Sequence, residues 1–239
     1  MERLDKILSN YGNMTRSQAK ECLKKGRITV NDSVAKDGSL KVSDGDEIKI
    51  DGKTVNRIRF RYFMLNKPSG YISSTEDEPD GSAKNVISLF KDENIKGLFP
   101  VGRLDKDTTG LLLITNDGEL GHRLTSPSAG IDKTYVAEVK GVLTPKDIDV
   151  FKAGMEFKEF TAKPAKLEIL GINEKEGSSV ARVTISEGKF HQVKRMFLKV
   201  GCEVTALKRI SEGTLMLDEN LKPGEYRELS PDEIGRLKR

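Results

Sequence analysis

The run Gly102-Arg103-Leu104-Asp105-Lys106-Asp107-Thr108-Thr109-Gly110-Leu111-Leu112-Leu113 concentrates groups able to do chemistry. Asp105 stands in a polar turn. The apolar run Leu111 to Ile114 behind it reads as a buried strand or the start of a helix. A turn at the rim of a rigid core can hold one carboxylate in a fixed pose, where it acts as a nucleophile or a base. Two plainer readings compete. Asp105 could cap its own turn, as most Asp-x-x-Thr aspartates do. It could also pair with Asp107 as the two carboxylates of a hydrolase. Lys106 and the exposed turn favour a solvated role for Asp107.

Other chemistries find little material. Two cysteines, Cys22 and Cys202, lie far apart, and His122 and His191 are the two histidines, so no zinc-ligand spacing exists. Both cysteines read as small buried hydrophobes. No stretch approaches the roughly 18 apolar residues of a membrane span, and the N-terminus Met1-Glu2-Arg3-Leu4-Asp5 has no apolar signal core. The expected compartment is the cytoplasm, with no membrane partner.

Charge is unevenly distributed. Residues 1–61 carry 14 Lys and Arg against 9 Asp and Glu, and the remainder carries 27 against 28. The whole positive excess lies in the first quarter, which suits phosphate contact or simply a solvated surface.

The elements that must position these groups follow from periodicity. Leu4, Ile7, Leu8 and Tyr11 have helical spacing, and Gly12-Asn13 ends that helix. Thr15-Arg16-Ser17-Gln18 has the form of a capping box, opening a helix that buries Ala19, Cys22 and Leu23 and stops at Gly26. Arg16, Lys20 and Lys24 then share one side. Ile28, Val30 and Val34 suggest a strand and its return. Val42 with Ile48 and Ile50 suggests a strand pair around Asp44-Gly45. Residues 53–61 read as a basic connector. A second domain opens on the strand Tyr62 to Leu65 and runs into Lys67-Pro68-Ser69-Gly70, a turn signal. Val86, Leu89 and Phe90 suggest a helix. Lys133 to Val139 alternates strictly and is a strand. Pro145 starts a helix reaching about Gly154. Ala162–Ile172 and Ser178–Ile185 are neighbouring strands. Val193, Met196, Phe197 and Val200 have helical spacing, and Val204–Ile210, Gly213–Leu217 and Tyr226–Leu229 are short strands. The fold class is therefore α+β, with a mixed and mostly antiparallel sheet in the larger part.

Residues 2 to 52 resemble the S4 RNA-binding domain through Arg3-Leu4-Asp5, Thr15-Arg16-Ser17-Gln18-Ala19 and Gly26-Arg27-Ile28-Thr29-Val30-Asn31. That resemblance places Arg3, Arg16, Lys20, Lys24, Lys25 and Arg27 against RNA. Beyond it, four segments in order resemble the RsuA-like pseudouridine synthases. They are Gly102-Arg103-Leu104-Asp105, Lys133-Thr134-Tyr135, His191-Gln192-Val193-Lys194-Arg195-Met196-Phe197, and Leu207 with Arg209 and Gly213. The resemblance divides the chain into an S4-like domain at 1–58, a connector at 59–61 and a catalytic domain of the pseudouridine synthase fold at 62–239. It implies that Asp105 is the nucleophile or base, that Lys194 is its cationic partner, and that Tyr135 stacks on the uracil. Leu207 presses on the other side of the base, and Arg103 wedges into the stack or binds phosphate. Lys194 stands where many relatives have arginine. It keeps the charge without the two-pronged contact.

The implied reaction is isomerisation of uridine to pseudouridine in ribosomal RNA, with the nucleotide flipped out of its stack. It involves no redox change and needs no cofactor or metal. Phosphate contacts from Lys189, Arg195, Lys208 and Arg209 offset the flipping cost. The expected partner is small-subunit rRNA (16S) or its assembly intermediate, bound by a monomer. Alternatives are a synthase acting on 23S rRNA, a non-catalytic S4-type ribosome-assembly protein, and the two-carboxylate hydrolase.

Overall fold

The computed structural model describes residues 1–12, 14–43, 45–55, 60–91, 95, 97–126 and 129–238. They fall into two compact units, Met1–Phe60 and Arg61–Arg239. Asn13, Asp44 and residues 56–59 of the basic connector lie outside the described residues.

In the first unit a short strand β1 (Glu2–Arg3) leads into α1 (Leu4–Tyr11), and α2 (Arg16–Lys24) follows. Leu4, Ile7 and Leu8 bury the inner side of α1, and Ala19, Cys22 and Leu23 that of α2. The capping box forms: Gln18 N donates to Thr15 Oγ1 at 3.2 Å, and Thr15 N donates to Gln18 Oε1 at 2.7 Å. Gly26 takes the left-handed conformation that ends the helix, at φ +68°. The strands are β2 (Ile28–Val30), β3 (Ser33–Val34), β4 (Lys41–Val42), β5 (Ile48–Ile50) and β6 (Lys53–Thr54), four of them ordered β3-β2-β5-β6.

One pairing differs from the sequence reading. Val42 does not join Ile48 and Ile50 in a hairpin. Instead β4 pairs with β1, and β5 pairs with β2. The N-terminal segment outcompetes the local partner because it is pinned beside it. Leu4 N donates to Leu40 O, and Asp5 N to Gly38 O, both at 2.9 Å.

The second unit is built on β7 (Tyr62–Lys67), β8 (Phe99–Pro100), β9 (Thr109–Thr115), β10 (Lys133–Lys140), β11 (Met155–Glu156), β12 (Thr161–Ala162), β13 (Lys166–Asn173), β14 (Ser178–Ile185), β15 (Glu203–Glu212), β16 (Leu215–Met216) and β17 (Tyr226–Glu228). Its helices are α3 (Gly118–Thr125), α4 (Pro145–Ala153), α5 (Gln192–Lys199) and α6 (Pro231–Leu237). The main sheet runs β13-β14-β10-β15-β9-β7-β17, with β16 added to β15 and β8 to β9. It is a mixed sheet, antiparallel except where β15 and β9 run parallel. The expected helix around Val86 is a single 3₁₀ turn, Val86–Leu89. Phe90 N closes it on Ile87 O, three residues back.

The parallel junction fixes the site. Lys208 lies opposite Thr109, and Arg209 opposite Gly110. Gly110 has φ +99°, and a Cβ there would meet Arg209 O at 2.2 Å. Only glycine lets the two backbones approach so closely. That approach brings the turn before β9 against the strand carrying Leu207. On the face they share, Tyr135, Ala137 and Val139 of β10 are buried while Glu138 and Lys140 are exposed. Helix α5 covers β15 with Val193, Met196 and Phe197, and Phe197 packs on Phe151 of α4 with ring centres 5.1 Å apart.

Candidate active site

Asp105 sits on the loop between β8 and β9, and the loop is held from below. Lys67, at the end of β7, is 0% exposed. Its ammonium donates to Thr108 O at 2.8 Å, and to Lys106 O and Pro68 O at 3.1 Å each. Burial pushes the Lys67 amine down to about 8, against the opposing pull of Asp107 and Asp105. Gly70 N donates to Lys106 O at 2.8 Å. Ser73 Oγ both donates to Leu104 O and accepts from Leu104 N, at 3.0 Å each. The Lys67-Pro68-Ser69-Gly70 turn is thus the underside of the Asp105 loop, a role its turn signal alone did not disclose.

Two side chains approach Asp105, Lys194 from α5 and His191 from its N-cap. Lys194 Nζ lies 3.6 Å from Asp105 Oδ2, and His191 Nε2 lies 3.6 Å from Oδ1. The hydrogen bonds of Lys194 go to Asp107 instead, at 2.6 Å and 2.8 Å to its two oxygens. The sequence reading gives Asp107 to solvent. Its side chain is indeed 69% exposed, yet it holds the lysine, and that bond holds its carboxyl below the usual range. His191 has no role in the sequence reading. It stands at the N-cap of α5 with a left-handed backbone at φ 51° and no capping bond from its side chain. Its place three residues before Lys194, one helical turn away, was the available signal.

A small, open cleft lies over these groups. Asp105, Tyr135, Lys194, Arg103 and Leu207 all line it, together with His191. Tyr135 and Leu207 come from neighbouring strands. Burial pushes the Tyr135 phenol upward, so it stays protonated at neutral pH. Arg103 is exposed at the mouth.

The proposed phosphate contacts divide. Lys189 lines the cleft and Lys208 stands exposed on β15. Arg195 is partly committed elsewhere: it pairs with Glu159 and lies 4.9 Å and 4.8 Å over the rings of Phe157 and Phe160. Arg209 corrects the reading. It is 1% exposed and cannot reach a phosphate at the surface. Its Nε donates to Leu111 O at 2.8 Å and its Nη2 lies 3.1 Å from Glu212. Neither Arg209 nor Gly213 lines the cleft, so the pocket closes on Leu207 without them. In the first unit Arg3, Lys25 and Arg27 face Asp5, Glu21 and Asp51. Arg16, Lys20 and Lys24 are exposed and, among the described residues, carry no ion pair.

Asp105 thus has Lys194 and His191 at 3.6 Å each, in a cleft also lined by Tyr135 and Leu207. The family described as RNA pseudouridylate synthase matches residues 61–199, and the S4 domain matches residues 2–48. The chain belongs to the RNA pseudouridylate synthase family. It is 41% identical over 239 residues to ribosomal large subunit pseudouridine synthase B of Bacillus subtilis, covering 100% of this chain and 96% of that protein. It is 40% identical over 238 residues to ribosomal small subunit pseudouridine synthase A of Vibrio cholerae, covering 98% and 99%. A crystal structure of a pseudouridylate synthase superposes with a TM-score of 0.67 at 38% identity, over 99% of this chain and 100% of that one. This synthase is an isomerase with an N-terminal S4 domain. No described helix is long and apolar enough to cross a membrane.

Proposed function

We propose that this synthase converts a uridine of ribosomal RNA to pseudouridine, and that the RNA is small-subunit rRNA or its assembly intermediate. The observation carrying the mechanism is Asp105 at 3.6 Å from both Lys194 and His191 in a cleft also lined by Tyr135 and Leu207. The uridine flips out of its stack, at a cost of a few kcal/mol, and its uracil enters between Tyr135 and Leu207. Asp105 acts as the nucleophile that holds the detached sugar or base. The N1–C1′ bond breaks, the ring turns, a C5–C1′ bond forms, the C5 proton leaves and N1 gains one. Atoms and electrons balance with nothing added. Tyr135 stacks on the ring, and its neutral hydroxyl relays the C5 proton. The S4 domain holds the RNA in a cytoplasmic, monomeric enzyme.

The large-subunit alternative has its own support, because the chain is as similar to a synthase named for the large subunit as to one named for the small. Mapping pseudouridine by adduct-dependent reverse-transcription stops in 16S and 23S rRNA, with and without this protein, decides between them. The small-subunit reading expects one 16S stop that disappears with the protein and in Asp105→Asn, while RNA affinity stays within a few-fold. A 23S stop selects the alternative. Product from Asp105→Asn removes the nucleophile, and no missing stop in either RNA leaves a non-catalytic S4-type binder. Cleaved RNA, rather than RNA of unchanged mass, identifies a hydrolase.

A further inference from the structure

Among the described residues Phe190 is the one aromatic side chain in the exposed class, at 76%. A lone exposed apolar side chain is ordinary, so it is the placement of this ring beside the cleft that carries meaning. Phe190 is flanked by Lys189 and His191, both of which line the cleft, while Phe190 itself does not. Its ring lies parallel to that of His191, with centres 3.8 Å apart and planes 19° apart. His191 turns its Nε2 to Asp105 on the cleft side. The two rings therefore form a stack that begins beside the reacting carboxylate and ends at solvent.

The stack is rigidly presented. Gln192 N donates to Lys189 O at 3.1 Å, and Lys189 N donates to Gln192 Oε1 at 3.0 Å. Gln192 Nε2 donates to Glu187 Oε1 at 3.0 Å, and Glu187 accepts Lys163 N at 2.8 Å. Gln192 and Glu187 are both buried. His191 holds a left-handed backbone at φ 51°, uncommon for a non-glycine residue. The loop is thus over-determined around an exposed aromatic ring stacked on His191. Lys189 and Arg103 supply exposed positive charge on the same rim.

Resting on the proposed RNA substrate, we infer that Phe190 is the stacking platform for the nucleotide adjoining the flipped uridine. The uracil occupies the cleft between Tyr135 and Leu207. Its neighbour loses a stacking face when the uridine leaves, and Phe190 replaces that face at the cleft mouth. Any base has a π-face, so the platform binds RNA without reading its sequence.

The chain contains no tryptophan, so Phe190→Trp installs a single indole at this position, excited selectively at wavelengths where tyrosine does not absorb. The probes are transcribed 16S and 23S rRNA and a 12-nucleotide oligouridylate. The expected result is quenching of the Phe190→Trp emission by RNA. For pseudouridine formation, Phe190→Ala should lower kcat/KM about tenfold through KM, the scale of one lost base–aromatic stack. Phe190→Trp should recover most of that loss and Phe190→Leu should not, with melting temperatures unchanged in all three. Unquenched tryptophan at saturating RNA, or wild-type kcat/KM in Phe190→Ala, overturns the platform. Failure of the wild-type protein to form pseudouridine in either rRNA would instead remove the proposed substrate, and the quenching arm still decides whether Phe190 meets RNA.

Discussion

Lys194 is held more closely by Asp107 than by Asp105, the proposed nucleophile: 2.6 Å to Asp107 against 3.6 Å to Asp105. A lysine is a point charge on a flexible stem, and Asp107 fixes where that charge stands. The arrangement leaves the ammonium in a 3.6 Å ion pair with Asp105, while its hydrogen bonds go to Asp107. Asp107→Asn removes the competing anion, so Lys194 is expected to close on Asp105 and make it a poorer nucleophile. We expect kcat to fall about tenfold, equivalent to about 1.4 kcal/mol of barrier, with KM for RNA within twofold. The melting temperature should hardly move, since exposed ion pairs contribute little. Single-turnover kinetics with saturating enzyme check this, and an undiminished rate would show that Asp107 is only a surface partner.

Lys67 predicts an alkaline limit on activity. Its bonds to Lys106 O and Thr108 O tie the Asp105 loop, and its amine is pushed down to about 8 by burial. Above that pH it becomes a neutral amine with one N–H fewer, so the loop loses a tie and a nearby positive charge. The rate constant of the chemical step should fall as pH rises through about 8, and Lys67→Met should abolish that limb while lowering the rate at pH 7 by about 10- to 100-fold. Stability moves the other way. The folded pKa lies below the ordinary lysine value of 10.5, so between about 8 and 10.5 the unfolded chain holds a proton that the folded chain has released. The contribution of this group to stability therefore increases with pH across that window. Urea melts of wild type and Lys67→Met at pH 7 and pH 9.5 separate this effect from the other titrating groups.

The elements that carry the site were legible because each has a strong local period. Strand β10 alternates, α5 repeats apolar residues at three and four, and Asp105 precedes an unbroken apolar run. Pairing and direction were not local. Val42 joined the N-terminus because backbone bonds at Leu4 and Asp5 pin that segment, which no periodicity at Val42 encodes. Arg209 reads as a surface cation beside Lys208, but strand alternation turns one outward and the other into the core. Helix α6 went unread although Ser230-Pro231-Asp232-Glu233 forms a full capping box with proline at the first turn. Lys194 and Asp107 meet 87 residues apart, and only the fold reveals that bond.

Burial of Arg209 makes a stability prediction. Glu212 is 3% exposed, and neither of its oxygens has a hydrogen bond among the described residues. Its charge is balanced by Arg209 at 3.1 Å and by Lys133 at 3.8 Å. Arg209→Met leaves a buried carboxylate poorly compensated, which costs about 3–5 kcal/mol. Adding Glu212→Leu removes the stranded charge and should return most of that loss. Chemical denaturation of the two single variants and the double variant measures the coupling. Additive losses would mean that the two side chains do not act as a pair.

Helix α2 makes a prediction about RNA affinity that is separate from chemistry. Arg3, Lys25 and Arg27 already face carboxylates, so binding RNA through them requires breaking or sharing those pairs. Arg16, Lys20 and Lys24 are exposed, four residues apart on one side of the helix, and unpaired among the described residues. If each neutralises one phosphate, Arg16→Gln/Lys20→Gln/Lys24→Gln loses about three released counterions. The slope of log affinity against log salt should then shrink by about 2–3. Lys25→Gln should change that slope by less than one, because Glu21 already balances its charge. The turnover rate at saturating RNA should be preserved in both variants, since neither changes a residue lining the cleft. Filter binding between low and moderate salt gives the slopes. Equal slopes for the triple variant and wild type would move the RNA-binding face away from α2.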